Sequence, residues 1–189
     1  MTLWQLDKTN TCKIDEFYSH LNLMAQVRFG NKLVNTIGEL PAVGSKAPDF
    51  RLVTTGLKEV TLSDYEGERI VLNIFPSIDT HVCGTSVKRF NEESAKLNNT
   101  VILCISRDLP FAQSRFCGKE GIENVITLSG FRDDDFGKNY GVTFTDGLFK
   151  GLFSRAVVVI DAEGKVIHTE QVPHIGQEPD YETVIKILS

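Results

Sequence analysis

Hydrophobic positions along the chain change their spacing several times, and each change marks an element. From Ala25 the segments AQVRF and KLVNTI flank Gly30-Asn31, a Gly/Asn turn of the kind that closes a β-hairpin. Pro41 and Pro48 bracket a loop, after which DFRLVTT and EVTLSDY read as two further short strands. The run Ile70–Phe75 (IVLNIF) does not alternate and carries β-branched residues, the pattern of a strand covered on both faces. A helix is expected from about Val82 to Leu97, because Cys83, Val87, Phe90, Ser94 and Leu97 fall on one mostly apolar helical face.

VILCIS (101–106) is the next buried strand, and PFAQSRF (110–116) begins a short helix with Pro110 at its first position. VITLS, a short acidic helix near Asp133–Tyr140, the strands AVVVID and KVIHTEQV, and a C-terminal helix from Pro179 complete the order. The turn Ala162-Glu163-Gly164 makes AVVVID and KVIHTEQV an antiparallel pair. Strands alternating with helices, then a hairpin and a closing helix, describe an α/β sandwich with a mixed sheet. At 189 residues, without repeats, low-complexity tracts or linkers, the chain reads as one domain spanning 24–189.

Residues 1–23 differ in kind from the rest of the chain. They are short of Gly and Pro, weakly amphipathic, and end just before a Met-Ala that could itself start a protein. An appended extension or an early start codon fits them, as does a genuine terminal helix. No continuous apolar stretch of signal-peptide type is present, and no apolar run approaches the roughly 18 residues of a membrane-spanning helix. A cytoplasmic protein is the expectation.

Composition adds exclusions. Apolar residues make up 41% and charged residues 24%, enough for a real core, and the net charge of −5 gives no footprint for nucleic acid or an acidic lipid surface. Cys12, Cys83, Cys104 and Cys117 are too few for a secreted disulfide scaffold and contain no CxxC pair. A metal site built on His81 and Cys83 lacks partners elsewhere, and no cofactor is expected.

The informative stretch is Pro76-Ser77-Ile78-Asp79-Thr80-His81-Val82-Cys83, between a buried strand and the helix it feeds. Pro76 ends the strand and Asp79 or Thr80 can cap the helix. With Thr80 as the cap, Cys83 falls in the first turn, where free backbone N–H groups and the helix dipole favour a thiolate. Against this stands the commoner fate of an isolated cysteine, a small buried apolar residue. Cys117 divides the same way, whereas Cys104, apolar on both sides within VILCIS, reads as an inert core thiol.

The stretch resembles the peroxiredoxin active site, whose pattern Pro-x-x-x-Thr/Ser-x-x-Cys is matched by Pro76, Thr80 and Cys83. NIFPSIDT, VILCIS, DLPFAQSRFCG, NVITLSGFR, RAVVVID and EPDYE are similar to the bacterial thiol peroxidase branch, the atypical 2-Cys peroxiredoxins. The similarity runs from about Met24 to the C-terminus. It implies a thioredoxin-like sandwich, a central mixed β-sheet flanked by helices, here with an extra N-terminal β-hairpin.

The resemblance also implies roles. Cys83 would be the peroxidatic cysteine, passing through a sulfenic acid, with Pro76 shielding the sulfur and Thr80 hydrogen-bonding it. Arg132, within GFRDDDFGKNYGV, would be the fixed cation; without the resemblance it reads as a surface charge paired with Asp133, Asp134 or Asp135. Cys117, 34 positions after Cys83, would be the resolving cysteine, closing an intramolecular Cys83–Cys117 disulfide after one or both helix ends unwind. Ser86, where many other branches place a Glu, can hydrogen-bond within the site, and Arg155 is a secondary candidate. His81 reads as solvent-facing. Implied partners are thioredoxin as reductant, hydrogen peroxide and alkyl or lipid hydroperoxides as substrates, and a second copy in a homodimer.

Two other classes remain open on the residues. Cys83-Gly84-Thr85-Ser86 is a CxxS at a strand–helix junction, the arrangement of a monothiol, thioredoxin-like disulfide oxidoreductase. A redox-sensing or chaperone-like interaction protein would also oxidise at Cys83, but without turnover.

Overall fold

The computed structural model describes residues 24–189, so the expected extension 1–23 and its Cys12 lie outside the described residues. The chain begins with the strands β1 (Gln26–Phe29) and β2 (Lys32–Asn35), paired antiparallel. The turn works because Gly30 takes φ +58°, a region closed to most side chains.

The strands β3 (Arg51–Thr54), β4 (Glu59–Thr61), β5 (Arg69–Ile74), β6 (Thr100–Ser106), β7 (Ile126–Ser129), β8 (Ala156–Ile160) and β9 (Val166–Gln171) form one sheet in the order β4-β3-β7-β6-β5-β8-β9. β5, β6 and β7 run parallel, while β3–β4, β3–β7, β5–β8 and β8–β9 are antiparallel. This is the expected thioredoxin-like sandwich with a mixed sheet and an added hairpin.

The unbroken apolar runs are strands buried on both sides. In β5, Ile70, Leu72 and Ile74 face one core with Phe50, Tyr65, Phe136 and Phe153. Val71, with Phe75 just beyond the strand, faces the other core, together with Val87, Phe90 and Val184. The helices α1 (His81–Ser94), α2 (Pro110–Glu120) and α4 (Tyr181–Leu188) cover this second face, and α3 (Asp135–Asn139) lies on the first.

Three boundaries differ from the sequence pattern. LSDY, expected within a strand, is a 3-10 turn (Leu62–Tyr65), because the Asp64 carboxylate accepts from the Thr61 N–H at 2.6 Å and turns the chain. α1 stops at Ser94 rather than Leu97, although Leu97 still packs against the core. The acidic helix is shorter than expected, five residues long.

Candidate active site

β5 delivers the chain to its C-terminal edge, buried Pro76 ends it, and the backbone turns into α1. Thr80 is the N-cap residue of α1, with extended backbone (φ −90°, ψ 147°), which puts Cys83 at the third helical position. The Cys83 side chain is fully buried. It therefore sits among the free N–H groups of a first helical turn, out of contact with bulk water.

Two side chains reach the sulfur. Thr80 Oγ1 lies 2.8 Å from Cys83 Sγ and 3.0 Å from the Ser77 carbonyl. A hydroxyl has one hydrogen, so Thr80 can donate to Ser77 while the sulfur is protonated and to the sulfur once it is a thiolate. The second is Arg155, whose Nη2 donates to Sγ at 3.4 Å and to the Ile175 carbonyl at 3.1 Å.

Arg155 is 2% exposed, and its hydrogen-bond partners among the described residues are the sulfur and a main-chain carbonyl, neither of them a carboxylate. A buried guanidinium needs a balancing negative charge, and of its two hydrogen-bond partners among the described residues Cys83 is the one that can carry it. Arg155 Nε and Nη1 are buried without a partner among the described residues, which leaves donors for an oxygen atom next to the sulfur.

Arg132 is not at the sulfur. Its side chain is half exposed, pairs with Glu59 at 3.8 Å and lies over the Phe131 ring, 5.0 Å from the centroid. Strand order explains the exchange. β7, which leads to Arg132, is two strands removed from β5, whereas β8 is its antiparallel neighbour with Ala156 opposite Ile74. That register sets Arg155 beside the junction of β5 and α1. A lone arginine leading an all-apolar strand is the signal the sequence offers for it.

Ser86 is fully buried and donates to Asn73 Oδ1 at 3.1 Å rather than to the sulfur. Asn73 Nδ2 in turn donates to Cys104 Sγ at 3.5 Å. Asn73 opens the NIFPSIDT string, but no role was anticipated for it, although it is the single polar residue of IVLNIF. Cys104 is fully buried, and burial pushes its thiol up to about 12. His81 is exposed, as expected.

Cys117 lies on α2, half-buried, with Sγ 3.7 Å from Thr127 Oγ1. Burial pushes this thiol up as well. Cys83 and Cys117 are both free thiols. The Phe116 ring packs between their helices, so close to Gly84 that a Cβ there would stand 3.1 Å from Cε2. Cys117 itself opens on another cleft, lined by Thr54, Ser114, Gly121 and Ile126.

The burial of both Cys83 and Ser86 speaks against the CxxS reading, since a disulfide exchanger must present its sulfur to a protein substrate. The family model described as Redoxin matches residues 42–185. A thiol peroxidase of Mycobacterium tuberculosis is 53% identical over 165 residues, which span 87% of this chain and 99% of that protein. The chain belongs to the peroxiredoxin family, in its thiol peroxidase branch. Among solved structures, a peroxiredoxin-like protein from Aquifex aeolicus superposes with TM-score 0.82 at 39% identity, covering 88% of this chain and 98% of that one. The thiol peroxidase from Chromobacterium violaceum shares the fold, with TM-score 0.80 at 24% identity over 86% and 94% of the two chains. This peroxiredoxin is accordingly an oxidoreductase of the peroxidase class.

Proposed function

We propose that Cys83 is the peroxidatic cysteine and Cys117 the resolving one. The Cys83 thiolate attacks the nearer oxygen of the peroxide, the O–O bond breaks, and the distal oxygen leaves as water or alcohol after taking a proton. Cys83 is left as a sulfenic acid. The Thr80 hydroxyl and Arg155 hold the thiolate and draw off charge from the departing oxygen. The Cys117 thiol then condenses with the sulfenic acid, forming the Cys83–Cys117 disulfide and releasing the sulfenic oxygen as water. A dithiol reductant, thioredoxin, restores both thiols.

The observation that carries this reading is the buried Arg155 guanidinium 3.4 Å from the buried Cys83 sulfur, with the Thr80 hydroxyl on the same atom. Hydrogen peroxide and organic hydroperoxides are the proposed substrates. The reducing cytoplasm, where thioredoxin keeps thiols available, is the proposed location. Leu109 and Phe111, exposed at the start of α2, support a homodimer that covers them.

The test follows NADPH consumption with thioredoxin, thioredoxin reductase and cumene hydroperoxide. Wild type turns over, Cys83→Ser is inactive, and Cys117→Ser reduces one equivalent of peroxide but does not cycle with thioredoxin. Peroxide consumption by Cys83→Ser would overturn the assignment.

A further inference from the structure

Beyond the groups that touch sulfur, one carboxylate ties the two cysteine-bearing segments together. Asp108 lies in the short link between β6 and α2, two residues before Pro110 starts the helix. Its Oδ1 accepts from Ser77 Oγ at 2.7 Å, and its Oδ2 accepts from the Ile78 N–H and from Ser106 Oγ, each at 2.7 Å. The main-chain carbonyl of Asp108 accepts from Ser129 Oγ. Buried Gln113, in the first turn of α2, donates to Ser106 Oγ at 3.1 Å and to the Leu128 carbonyl at 3.0 Å.

The bonds form a path. Asp108 fixes Ser77 and Ile78; the Ser77 carbonyl accepts from the Thr80 N–H at 3.1 Å and faces the Thr80 hydroxyl, which lies on Cys83 Sγ. On its other side, Asp108 anchors the chain where α2 begins, about two helical turns before Cys117. Short contacts to a charged acceptor are of the strong kind. A disulfide needs Cα atoms within roughly 7 Å, so segments held apart on two packed helices must loosen before Cys83 and Cys117 join.

We propose that Asp108 is a positioning residue, a latch that holds the Pro76–Thr80 loop against the start of α2 during the peroxide step and whose release governs disulfide closure. The proposal rests on the assignment of Cys83 and Cys117 above. With the latch closed, Thr80 stays on the sulfur and closure waits. With it open, Thr80 drifts, the peroxide step slows, and the first turn of α1 unwinds more readily toward Cys117.

The test measures two steps separately in single turnovers: sulfenic acid formation at Cys83 against peroxide concentration, and the subsequent first-order closure of the disulfide. Asp108→Ala is expected to slow the first about tenfold, the scale of a lost hydrogen bond to a charged group, and to speed the second about threefold or more. Mass spectrometry at high peroxide should show less Cys83 sulfinate per turnover, because faster closure removes the sulfenic acid. Ser77→Ala, which deletes one donor and spares the carboxylate, should move both steps in the same opposed directions by less. It carries the test if Asp108→Ala fails to fold.

A purely structural role predicts that both steps fall together with the folded fraction. That result, or closure unchanged or slowed in either variant, overturns the latch. Failure of the underlying assignment looks different, since wild type itself would then show no Cys83–Cys117 disulfide.

Discussion

Arg155 Nη2 lies 3.4 Å from Cys83 Sγ, and both side chains are closed to solvent. Neither is a comfortable core residue alone. The cation without the sulfur is an uncompensated buried charge, and the sulfur without the cation is an ordinary core thiol. On the proposed assignment, the pair makes a reactive group out of two residues that burial would otherwise disfavour or silence.

Arginine identity is the first prediction. Arg155→Ala should cut the rate of peroxide reduction about 100-fold or more, the scale of losing a preorganised charge at a reacting atom. Arg155→Lys should recover little, since an ammonium cannot serve the sulfur and the Ile175 carbonyl with a planar fork. Arg132→Ala should stay within about twofold of wild type, as an exposed ion pair contributes little. Stopped-flow kinetics on the three variants decides, and a collapse in Arg132→Ala alone would reverse the assignment.

The Thr80 hydroxyl supplies a second. Thr80→Val keeps the shape and removes the hydrogen bond, and should slow the peroxide step by about 10- to 100-fold, the range for a bond to a charged group. Thr80→Ser keeps the hydroxyl and should retain most of the rate. Equal losses in both would mean that the methyl group, not the hydroxyl, matters.

How much of the site is legible in the sequence depends on distance along the chain. Pro76, Thr80 and Cys83 sit within one loop and one helical turn, so local rules place them together. Two-sided burial of β5 is also readable, because its apolar residues run without alternation. Arg155 ranks below Arg132 on sequence because the sulfur's neighbour is chosen by strand order, which no local pattern encodes. LSDY leaves the strand through one Asp64–Thr61 contact, a choice made by a single side chain. Asn73 and Asp108 open strings that carry the resemblance, yet neither has a role legible in the sequence, for a related reason: the partners Cys104, Ser86, Ser77 and Ile78 lie 13 to 31 positions away.

Cys104 predicts an alkaline weakness. Burial holds its thiol at about 12 against an ordinary value of 9.0, so the folded chain keeps a proton that the unfolded chain gives up first. Stability should be intact below pH 9.0 and decline as pH rises from there toward about 12. Cys104→Ala should be less stable near neutrality, through its cavity, yet lose less on going from about pH 9 to 11. Urea unfolding midpoints across that range test it; parallel slopes for the two proteins would rule out this origin.

The end of α2 gives a further prediction. Gly121 caps the helix at φ +65°, and the Ile122 N–H reaches the Cys117 carbonyl at 3.0 Å. A Cβ at Gly121 meets no atom within 4 Å, so Gly121→Ala carries only the left-handed backbone cost of about 1–2 kcal/mol. The variant should unfold at lower urea and close its disulfide faster, because the turn holding Cys117 is already strained. Its peroxide step should not change, which stopped-flow kinetics would show.

The antiparallel register that sets Ala156 opposite Ile74 also orders events during synthesis. Cys83 leaves the ribosome 72 residues before the arginine that completes its site. Until the ladder between β5 and β8 closes, the nascent sulfur lacks its guanidinium and has only the groups of its own loop and helix around it. On the proposed roles, the pairing of β8 with β5 is what brings the guanidinium to the sulfur, so an unfinished chain lacks one of the groups that ready the finished one for peroxide.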